Sequence, residues 1–362
     1  MMKRLLSLGL AALLMISLVP VLAEGQLSLI PGQLKREQVA LKASYPDNAV
    51  VEGVSTTTGL PFAGPYVPVL VIIDNAPSAH PHWGVGQADV IYQVPNMGGG
   101  ASKLLALFAD QLPEQAGGVR SARTPFVDVA AGWGAAFAYA GSPGTGVKAA
   151  ANVPQYMREL GMRRTDLLFD TLSNNTFSHR VKGYQSPHNL SVHVKEIGDI
   201  VTGKGLSFEP RGFLFSDAPQ TAGVPASFIE IKHFGNSAKS SSNPASAATF
   251  SYDEATGTYA RSNSSGLYVD KDNPGQAIPF ANVIVQRTRI GSVEGGYVTT
   301  REAVGSGAAD IFLGGRYIAG AWTRDSADSR TVFVDEQGEE IALQRGKTFI
   351  IITNDISSVS YK

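Results

Sequence analysis

Short apolar runs rich in β-branched residues recur through the first half of the chain, and each one ends at a turn, a glycine or a proline. Runs of this length and composition are typical of buried strands. We therefore predict strands over residues 68–73, 88–94, 103–109 and 135–140.

Two helices are predicted among these strands. Thr124 followed by Pro125 has the pattern of an N-cap and a first helical residue, which favours a helix over 126–130. A second helix is expected over 147–160, where a glycine follows it. Because strands and helices alternate, we predict a mixed α/β layer domain over 59–205.

The second half of the chain carries the alternation and the glycine-containing turns of β-hairpins. Hairpins are predicted over 250–259, 311–319 and 332–343, and single strands over 228–231, 281–286 and 349–352. After a connector at 206–224, we therefore predict a mostly antiparallel, β-rich domain over 225–356. The expected fold class is α+β or mixed α/β, in which an N-terminal α/β layer domain precedes the β-rich one.

The N-terminus has the three parts of a secretory signal peptide. Two basic residues precede an uncharged apolar stretch over 5–19, and small residues lead to a cleavage site after Ala23. The apolar stretch is shorter than the roughly 20 residues that a membrane-spanning helix needs, and an uncleaved anchor is the alternative. We expect an extracytoplasmic protein that loses residues 1–23, has a polar linker over 24–58 and has no membrane span after cleavage.

Composition limits the possible functions. Of the 362 residues, 43% are hydrophobic, which is enough apolar material for two packed domains. The formal net charge of −1 gives no global field for nucleic acid, so no nucleic-acid partner is expected. The absence of cysteine excludes disulfides and thiolate metal sites, and the histidines lack metal-ligand spacing. We predict neither a metal site nor a cofactor.

A short segment before the first predicted helix is the richest in binding chemistry. Arg120, Ser121 and Arg123 lie where free backbone N–H groups at a helix start attract anions. Guanidinium groups add forked donors that suit carboxylate or phosphate. The alternative is that each arginine pairs internally with a carboxylate such as Asp89 or Asp128.

Two further places combine polar side chains with strand ends. Gly141 and Ser142 stand in a glycine-rich loop between an apolar strand and a helix, where α/β folds bind ligands, although the loop is not a P-loop. Asp74 and Asn75 stand at the carboxyl end of the first strand. Their alternative role is to cap the turn through side-chain to backbone hydrogen bonds.

His188 and Asn189 form the remaining candidate pair, because a histidine can act as a base or orient a ligand. Their alternative role is local turn structure. No GxSxG string supports a serine hydrolase, and we name His188 and Asp74 as candidate catalytic residues. The predicted ligand-binding set is Asp74, Asn75, Arg120, Ser121, Arg123, Asp128, Gly141, Ser142, His188 and Asn189.

Several long, ordered strings resemble the YerB-like family of bacterial exported proteins, which often are lipoproteins of unknown function. They include PVLVIIDNAP at 68–77, GGVRSARTPFVDVA at 117–130 and SPHNL at 186–190. In the second half of the chain, residues 304–324 and 332–351 also resemble this family. The resemblance implies an α/β N-terminal domain and a β-rich C-terminal domain, and it assigns no reaction.

The sequence also departs from this family pattern. Members commonly carry a lipid-bearing cysteine, which is absent here, and they commonly have histidine, arginine and two glutamates at the positions of Ala76, His80, Gln93 and Met97. If those glutamates take part in the chemistry of relatives, this protein lacks that chemistry. Six candidates match the family pattern: Asp74, Arg120, Arg123, Asp128, His188 and Asn189.

Two functions are therefore compared. The first is a non-catalytic envelope protein that binds an anionic cell-wall component or a protein partner of the envelope through the predicted residues. The alternative is an enzyme acting on a phosphate- or carboxylate-bearing envelope substrate, with Arg120 and Arg123 as a clamp and His188 or Asp74 as acid or base. In a third hypothesis, the C-terminal domain carries the interaction and the arginines are structural.

Overall fold

The computed structural model describes residues 28–29, 50–97, 101–164, 166–232, 247–300, 304–354 and 357–362. The predicted signal peptide, most of the predicted linker and His233 lie outside these residues. Across the described ranges, no helix combines the length and the apolar composition that crossing a membrane requires.

The described part of the chain contains many short strands and three α-helices. The helices are α1 (Thr124–Trp133), α2 (Val153–Glu159) and α3 (Val194–Gly203). The strands up to residue 225 are β1 (Ser28–Leu29), β2 (Val69–Asp74), β3 (Val90–Pro95), β4 (Ser102–Phe108), β5 (Ala116–Gly117), β6 (Ala136–Tyr139), β7 (Leu168–Asp170), β8 (Ser178–Arg180), β9 (Leu190–Val192), β10 (Phe215–Ser216) and β11 (Val224–Pro225). The later strands are β12 (Phe228–Lys232), β13 (Ala248–Asp253), β14 (Thr258–Asn263), β15 (Gly266–Leu267), β16 (Val269–Asp270), β17 (Asn273–Ala277), β18 (Pro279–Phe280), β19 (Asn282–Arg287), β20 (Gly291–Ser292), β21 (Val298–Thr299), β22 (Gly305–Leu313), β23 (Arg316–Arg324), β24 (Val332–Val334), β25 (Leu343–Gln344), β26 (Thr348–Thr353) and β27 (Ser358–Tyr361).

One eleven-stranded sheet passes through both halves of the chain. Its order is β11-β23-β22-β19-β26-β3-β4-β2-β6-β7, and β24 lies beside β23. The two halves meet where β26 runs parallel to β3, with Ile351 opposite Gln93. A strand from the end of the chain therefore completes the hydrogen bonding of a strand from its first third.

The prediction of an N-terminal α/β layer domain is wrong, because the structure is mostly β, with 41% strand and 14% helix. An α/β layer needs parallel strands that are joined by crossover helices. Here β4 runs antiparallel to both β3 and β2, so no crossover helix is needed between them. The strand positions follow the apolar runs, and both predicted helices form as α1 and α2, but they are a small part of a mostly β structure.

The strand β2 is buried on both sides of this sheet, as its uninterrupted apolar run indicates. Val71 and Ile73 face one core, to which α3 and the second sheet contribute. Leu70 and Ile72 face the opposite core, to which α1 contributes. The main sheet is therefore the middle layer of the molecule, and β2 is fixed from both sides.

A second sheet of seven strands has the order β1-β27-β12-β13-β14-β15, with β18 beside β14. Two of the predicted hairpins form, as β13 with β14 and β22 with β23. The third predicted hairpin, over 332–343, forms only in part, because β24 also pairs with β23 and β25 pairs with β10. An antiparallel bridge between Val334 and Glu340 joins its two arms, and the Ile341 N–H donates to the carbonyl of Phe333 over 2.8 Å.

The helix starts differ slightly from the sequence prediction. Arg123 is the N-cap residue of α1, one residue earlier than predicted, and all residues of this helix are buried. The second helix is shorter than predicted, because α2 begins only at Val153. Asn152 sets this start by accepting a hydrogen bond from the backbone N–H of Gln155, as N-cap side chains do.

The end of the predicted linker is packed against the fold, because Ser55, Thr57 and Thr58 are buried. The hydroxyl groups of Ser55 and Thr58 donate to the carboxylate of Asp110, and the Thr57 hydroxyl donates to Asp89 over 2.9 Å. Burial and the nearby Asp110 raise the pKa of Asp89 to about 7. The hydroxyl-rich composition that suggested a tether therefore supplies hydrogen bonds to a pair of carboxyl groups.

We predict that Ile351→Ala destabilises both halves of the chain. Ile351 is fully buried, and truncation of such a side chain typically lowers the free energy of unfolding by about 2–5 kcal/mol. Because β26 pairs with β3, native-state hydrogen exchange should show faster exchange of amides in both strands. Val51→Ala, at a side chain that is 58% exposed, serves as the control. Faster exchange confined to the second half would contradict the shared sheet.

Candidate functional site

The buried carboxylate of Asp74, at the last position of β2, is the centre of the candidate site. Its Oδ2 atom lies 3.1 Å from Nε of Arg120 and 2.7 Å from Nδ1 of His188. Its Oδ1 atom accepts a hydrogen bond from Nζ of Lys103. Three basic side chains from separate parts of the chain therefore converge on one carboxylate.

Backbone pairing explains why these side chains meet. Lys103 is the residue of β4 that lies opposite Asp74 in the antiparallel register. The segment that carries Arg120 runs along the end of β2, because the Arg120 N–H donates to the carbonyl of Ile72 over 3.0 Å. On the same edge of β2, the Asp74 N–H donates to the carbonyl of Gly118 over 2.9 Å. The site is thus built on strand ends of the middle layer.

Gly118 permits the approach of the loop that carries His188. A Cβ atom at position 118 would lie 2.2 Å from the carbonyl oxygen of His188, which is far inside van der Waals contact. Any side chain at this position would push the His188 loop away from Asp74. The glycine pair that precedes the arginines in sequence is therefore a packing requirement of the site.

The charge balance of the site keeps Asp74 ionised. Burial alone would raise the pKa of this carboxyl, but Lys103, Arg120 and the hydrogen bond from His188 lower it to about 2. In this arrangement the carboxylate serves as the counter-charge that holds the basic groups in place. A group that is ionised throughout the physiological range is poorly suited to proton transfer, so the structure favours His188 over Asp74 as the acid or base.

Positive charge exceeds negative charge around this carboxylate. Lys103, Arg120 and Arg123 carry three positive charges, and in the described part of the chain only Asp74 forms an ion pair with any of them. Burial, Arg120 and Arg123 lower the pKa of Lys103, whereas Asp74 raises it. Burial and Arg120 likewise lower the pKa of Arg123. The three cations therefore repel one another, and an added anion would relieve this repulsion.

Arg123 is held differently from Arg120. Its Nη1 atom donates to the carbonyl of Ala122 over 2.7 Å, and its guanidinium lies 4.7 Å from the ring centroid of Tyr297. Its Nε atom is buried without a hydrogen-bond partner. Neither arginine pairs with Asp89 or Asp128 among the described residues, but Arg120 does pair with an internal carboxylate, that of Asp74.

His188 has a defined orientation. A carboxylate only accepts hydrogen bonds, so the 2.7 Å contact places a proton on Nδ1 of His188. In the neutral ring this leaves Nε2 as a lone-pair acceptor. The side chain is 20% exposed. The pair of Asp74 and His188 thus has the geometry of a carboxylate that orients a histidine base.

The other predicted residues lie around this centre with their own partners. Asn75 is buried and donates to the Ser102 hydroxyl over 3.1 Å. Asn189 accepts a hydrogen bond from Arg180 over 2.6 Å. The N–H of Gly141 donates to Asp170 over 2.8 Å, so it is not free to hold an anion.

Of the remaining predicted residues, Ser121 and Ser142 lie near the site and Asp128 does not. Ser121 lies half-buried between the two arginines, and Ser142 is half-buried in the neighbouring loop. Asp128 lies away from Asp74, within α1, where it accepts hydrogen bonds from the hydroxyls of Tyr156 and Thr300. Asp128 thus links helices and strands on the α1 side of the main sheet.

Sequence reasoning missed Lys103 and Tyr297. The strand that contains Lys103 was predicted, but its register against β2 was not. A charged residue at the start of an otherwise apolar strand was the available signal. No feature of the sequence indicated Tyr297, because its contact with Arg123 depends on how the two halves of the chain pack together. Among the described residues, no cluster of histidine and carboxylate side chains suits a metal ion.

Comparisons with known proteins agree on one family. Residues 57–207 match the model described as "Protein of unknown function (DUF3048) N-terminal domain", and residues 238–350 match that of its C-terminal domain. The chain is 26% identical over 298 residues to "Putative lipoprotein YerB" of Bacillus subtilis (strain 168), covering 81% of this chain and 83% of that protein. The crystal structure of Bacillus subtilis YerB matches with a TM-score of 0.68 at 24% identity, over 84% of this chain and 99% of that one.

We predict that the contribution of Asp74 to stability is lost in acid. Because the folded-state pKa of Asp74 lies below the unfolded value of 3.8, its contribution is present above about pH 4 and disappears as the pH falls through 2. The difference in unfolding free energy between wild type and Asp74→Asn should narrow by about 2 kcal/mol from pH 5 to pH 2. Urea unfolding at several pH values measures this difference.

Asp272→Asn, at an exposed carboxylate, is the control for the general effect of removing one negative charge. We expect no comparable narrowing for this variant. If the unfolding free energies of wild type and Asp74→Asn differ by the same amount across this pH range, the Asp74 carboxylate is not stabilised by its basic neighbours.

Proposed function

The chain belongs to the YerB-like family, and on this premise we propose that it is an extracytoplasmic envelope protein that binds an anionic component of the envelope at Asp74, Lys103, Arg120, Arg123 and His188. The name of its Bacillus subtilis relative describes a lipoprotein, which supports an exported location. The signal-peptide pattern that ends at Ala23 supports the same location.

The excess of positive charge carries this proposal. Lys103 and Arg120 share the carboxylate of Asp74, and Arg123 beside them has no ion pair among the described residues, so this part of the chain leaves two positive charges uncompensated when His188 is neutral. Protein structures rarely bury unpaired charges without a functional reason. A bound phosphate or carboxylate group would supply the missing negative charge.

The exposure of these side chains allows a ligand to reach them. The side chains of Arg120 and Lys103 are 29% and 14% exposed. Asp74 comes closest to Arg120 at Nε, which leaves the terminal nitrogen atoms of this guanidinium able to donate to a ligand. Arginine donors suit the planar or tetrahedral oxygen groups of carboxylate and phosphate.

The second candidate function is catalysis, and the hydrogen bond between Asp74 and His188 is the observation that favours it. In this function, Nε2 of His188 would accept a proton from a water molecule, whose oxygen would attack the phosphorus or carbonyl carbon of the bound group. The proton would then pass from His188 to the leaving oxygen. Arg120 and Lys103 would stabilise the negative charge that develops on the attacked group.

We predict that inorganic pyrophosphate raises the thermal unfolding midpoint of the wild-type protein and that Arg120→Ala/Arg123→Ala removes the effect. A ligand at 100 times its dissociation constant stabilises the folded state by about 2.7 kcal/mol. A soluble muramyl peptide tests the carboxylate class in the same assay. Differential scanning fluorimetry of residues 24–362 provides the measurement.

The matched control is Arg158→Ala/Arg163→Ala, which removes two exposed arginines and thus changes the net charge equally. This control should keep the full ligand effect. If both double variants lose the ligand-induced rise in the unfolding midpoint equally, the ligand binds through the overall charge of the protein and the proposed site is wrong. If neither ligand shifts the midpoint of wild type, the anion-binding proposal fails for both classes.

We predict for the catalytic alternative that His188→Ala retains pyrophosphate binding but releases no phosphate. The substitution removes the base and leaves Lys103, Arg120 and Arg123 in place. Release of phosphate from pyrophosphate is followed in wild type and in the variant at equal ligand occupancy. Binding without phosphate release in wild type would assign the site to binding alone.

A further inference from the structure

A second basic centre lies behind the candidate site, at Arg261 of β14. This side chain is fully buried, with 0% of its surface exposed. Its Nη2 atom donates to the amide oxygen of Gln93 over 3.1 Å, and Gln93 carries no charge. In the described ranges, Arg261 therefore has hydrogen bonding to a neutral amide but no ion pair with a carboxylate.

Two nitrogen atoms of the same guanidinium, Nε and Nη1, are buried without a hydrogen-bond partner. The guanidinium lies between two aromatic rings, 5.0 Å from the ring centroid of Tyr268 and 5.2 Å from that of Phe349. Cation–π contacts of this kind offset part of the desolvation of a buried cation, but they satisfy no N–H donor in full. Burial lowers the pKa of Arg261 to about 10, which still leaves it charged at neutral pH.

Further unpartnered polar atoms surround Arg261. The Tyr268 hydroxyl and Nε2 of His80 are buried without hydrogen bonds. The ring of His80 lies 4.2 Å from that of His82 and 6.1 Å from that of Tyr268, measured between centroids. Burial and Arg261 lower the pKa of His80 to about 4, so a negative charge placed here would favour protonation of His80.

We propose that Arg261, Tyr268 and His80 form a second anion site, which takes one small monoanion, either a halide or a carboxylate group. A fully buried guanidinium without a counter-charge is strongly unfavourable. A monoanion would accept hydrogen bonds from Arg261, from the Tyr268 hydroxyl and from protonated His80. Part of the His80 residue reaches solvent, although its Nε2 atom is buried.

The second site is separate from the first. His82 lies between them, and its Nε2 atom donates to the main-chain carbonyl of Asp74 over 2.5 Å. The carboxylate of Asp74 is occupied on its other side by Lys103 and Arg120. None of the three cations of the first site contacts Arg261 among the described residues, so each site should keep its anion when the other is disabled.

The experiment compares thermal unfolding midpoints when sodium gluconate is replaced stepwise by sodium chloride or sodium acetate at constant total sodium. Gluconate is the reference anion, because its hydroxylated six-carbon chain is much larger than chloride or acetate. At ten times the dissociation constant of the small anion, the midpoint should rise by about 2 °C. The chloride and acetate series distinguish a halide from a carboxylate as the preferred occupant.

Gln93→Glu is the decisive variant, because it places a carboxylate beside Nη2 of Arg261 and so supplies the counter-charge internally. It should fold, and its midpoint should no longer depend on chloride or acetate. Gln87→Glu, at an exposed glutamine, is the matched control and should keep the wild-type dependence. The Arg120→Ala/Arg123→Ala variant should also keep it.

Three outcomes would overturn this proposal. The first is a wild-type midpoint that is the same in gluconate, chloride and acetate. The second is an anion dependence that persists in Gln93→Glu, which would place the responding site elsewhere. The third is loss of the dependence in Arg120→Ala/Arg123→Ala, which would assign the effect to the first site.

Discussion

The structure depends on how one buried carboxylate, Asp74, balances several basic side chains at the end of a central strand. The carboxylate is desolvated, and its ionised form is retained because Lys103, Arg120 and His188 contact it directly. The same contacts fix β4, the segment before α1 and the His188 loop around β2. Structure and candidate function are therefore coupled, since any change in this charge balance alters both the packing and the ligand chemistry.

The positions of the strands could be predicted from the sequence, but their partners could not. The apolar runs of β2, β3 and β26 show that these strands are buried on both faces. Nothing local shows that β26 lies beside β3, because this pairing joins residues far apart in the chain. The α/β prediction failed for the same reason, since the sequence does not show that β4 pairs antiparallel with both β2 and β3.

The candidate site was predictable where charged residues stand at element ends. Asp74 follows an apolar strand and Arg120 precedes a helix, and both positions were identified in this way. Lys103 was missed because its role depends on strand register, and Asp128 was grouped with the site because sequence does not show which face of α1 it occupies. The hydroxyls of Ser55 and its neighbours were misread for a similar reason, because their carboxylate partners are distant in sequence.

The central claim is that an anion binds between the cations that share Asp74. The most direct measurement is the anomalous scattering of tungstate, a tetrahedral oxyanion like phosphate, in crystals of the protein. The account predicts a peak within hydrogen-bond distance of Arg120 and Lys103, and the same peak should be absent in Arg120→Ala/Arg123→Ala crystals. Ordered tungstate elsewhere, with none at this site in the wild-type protein, would contradict the account.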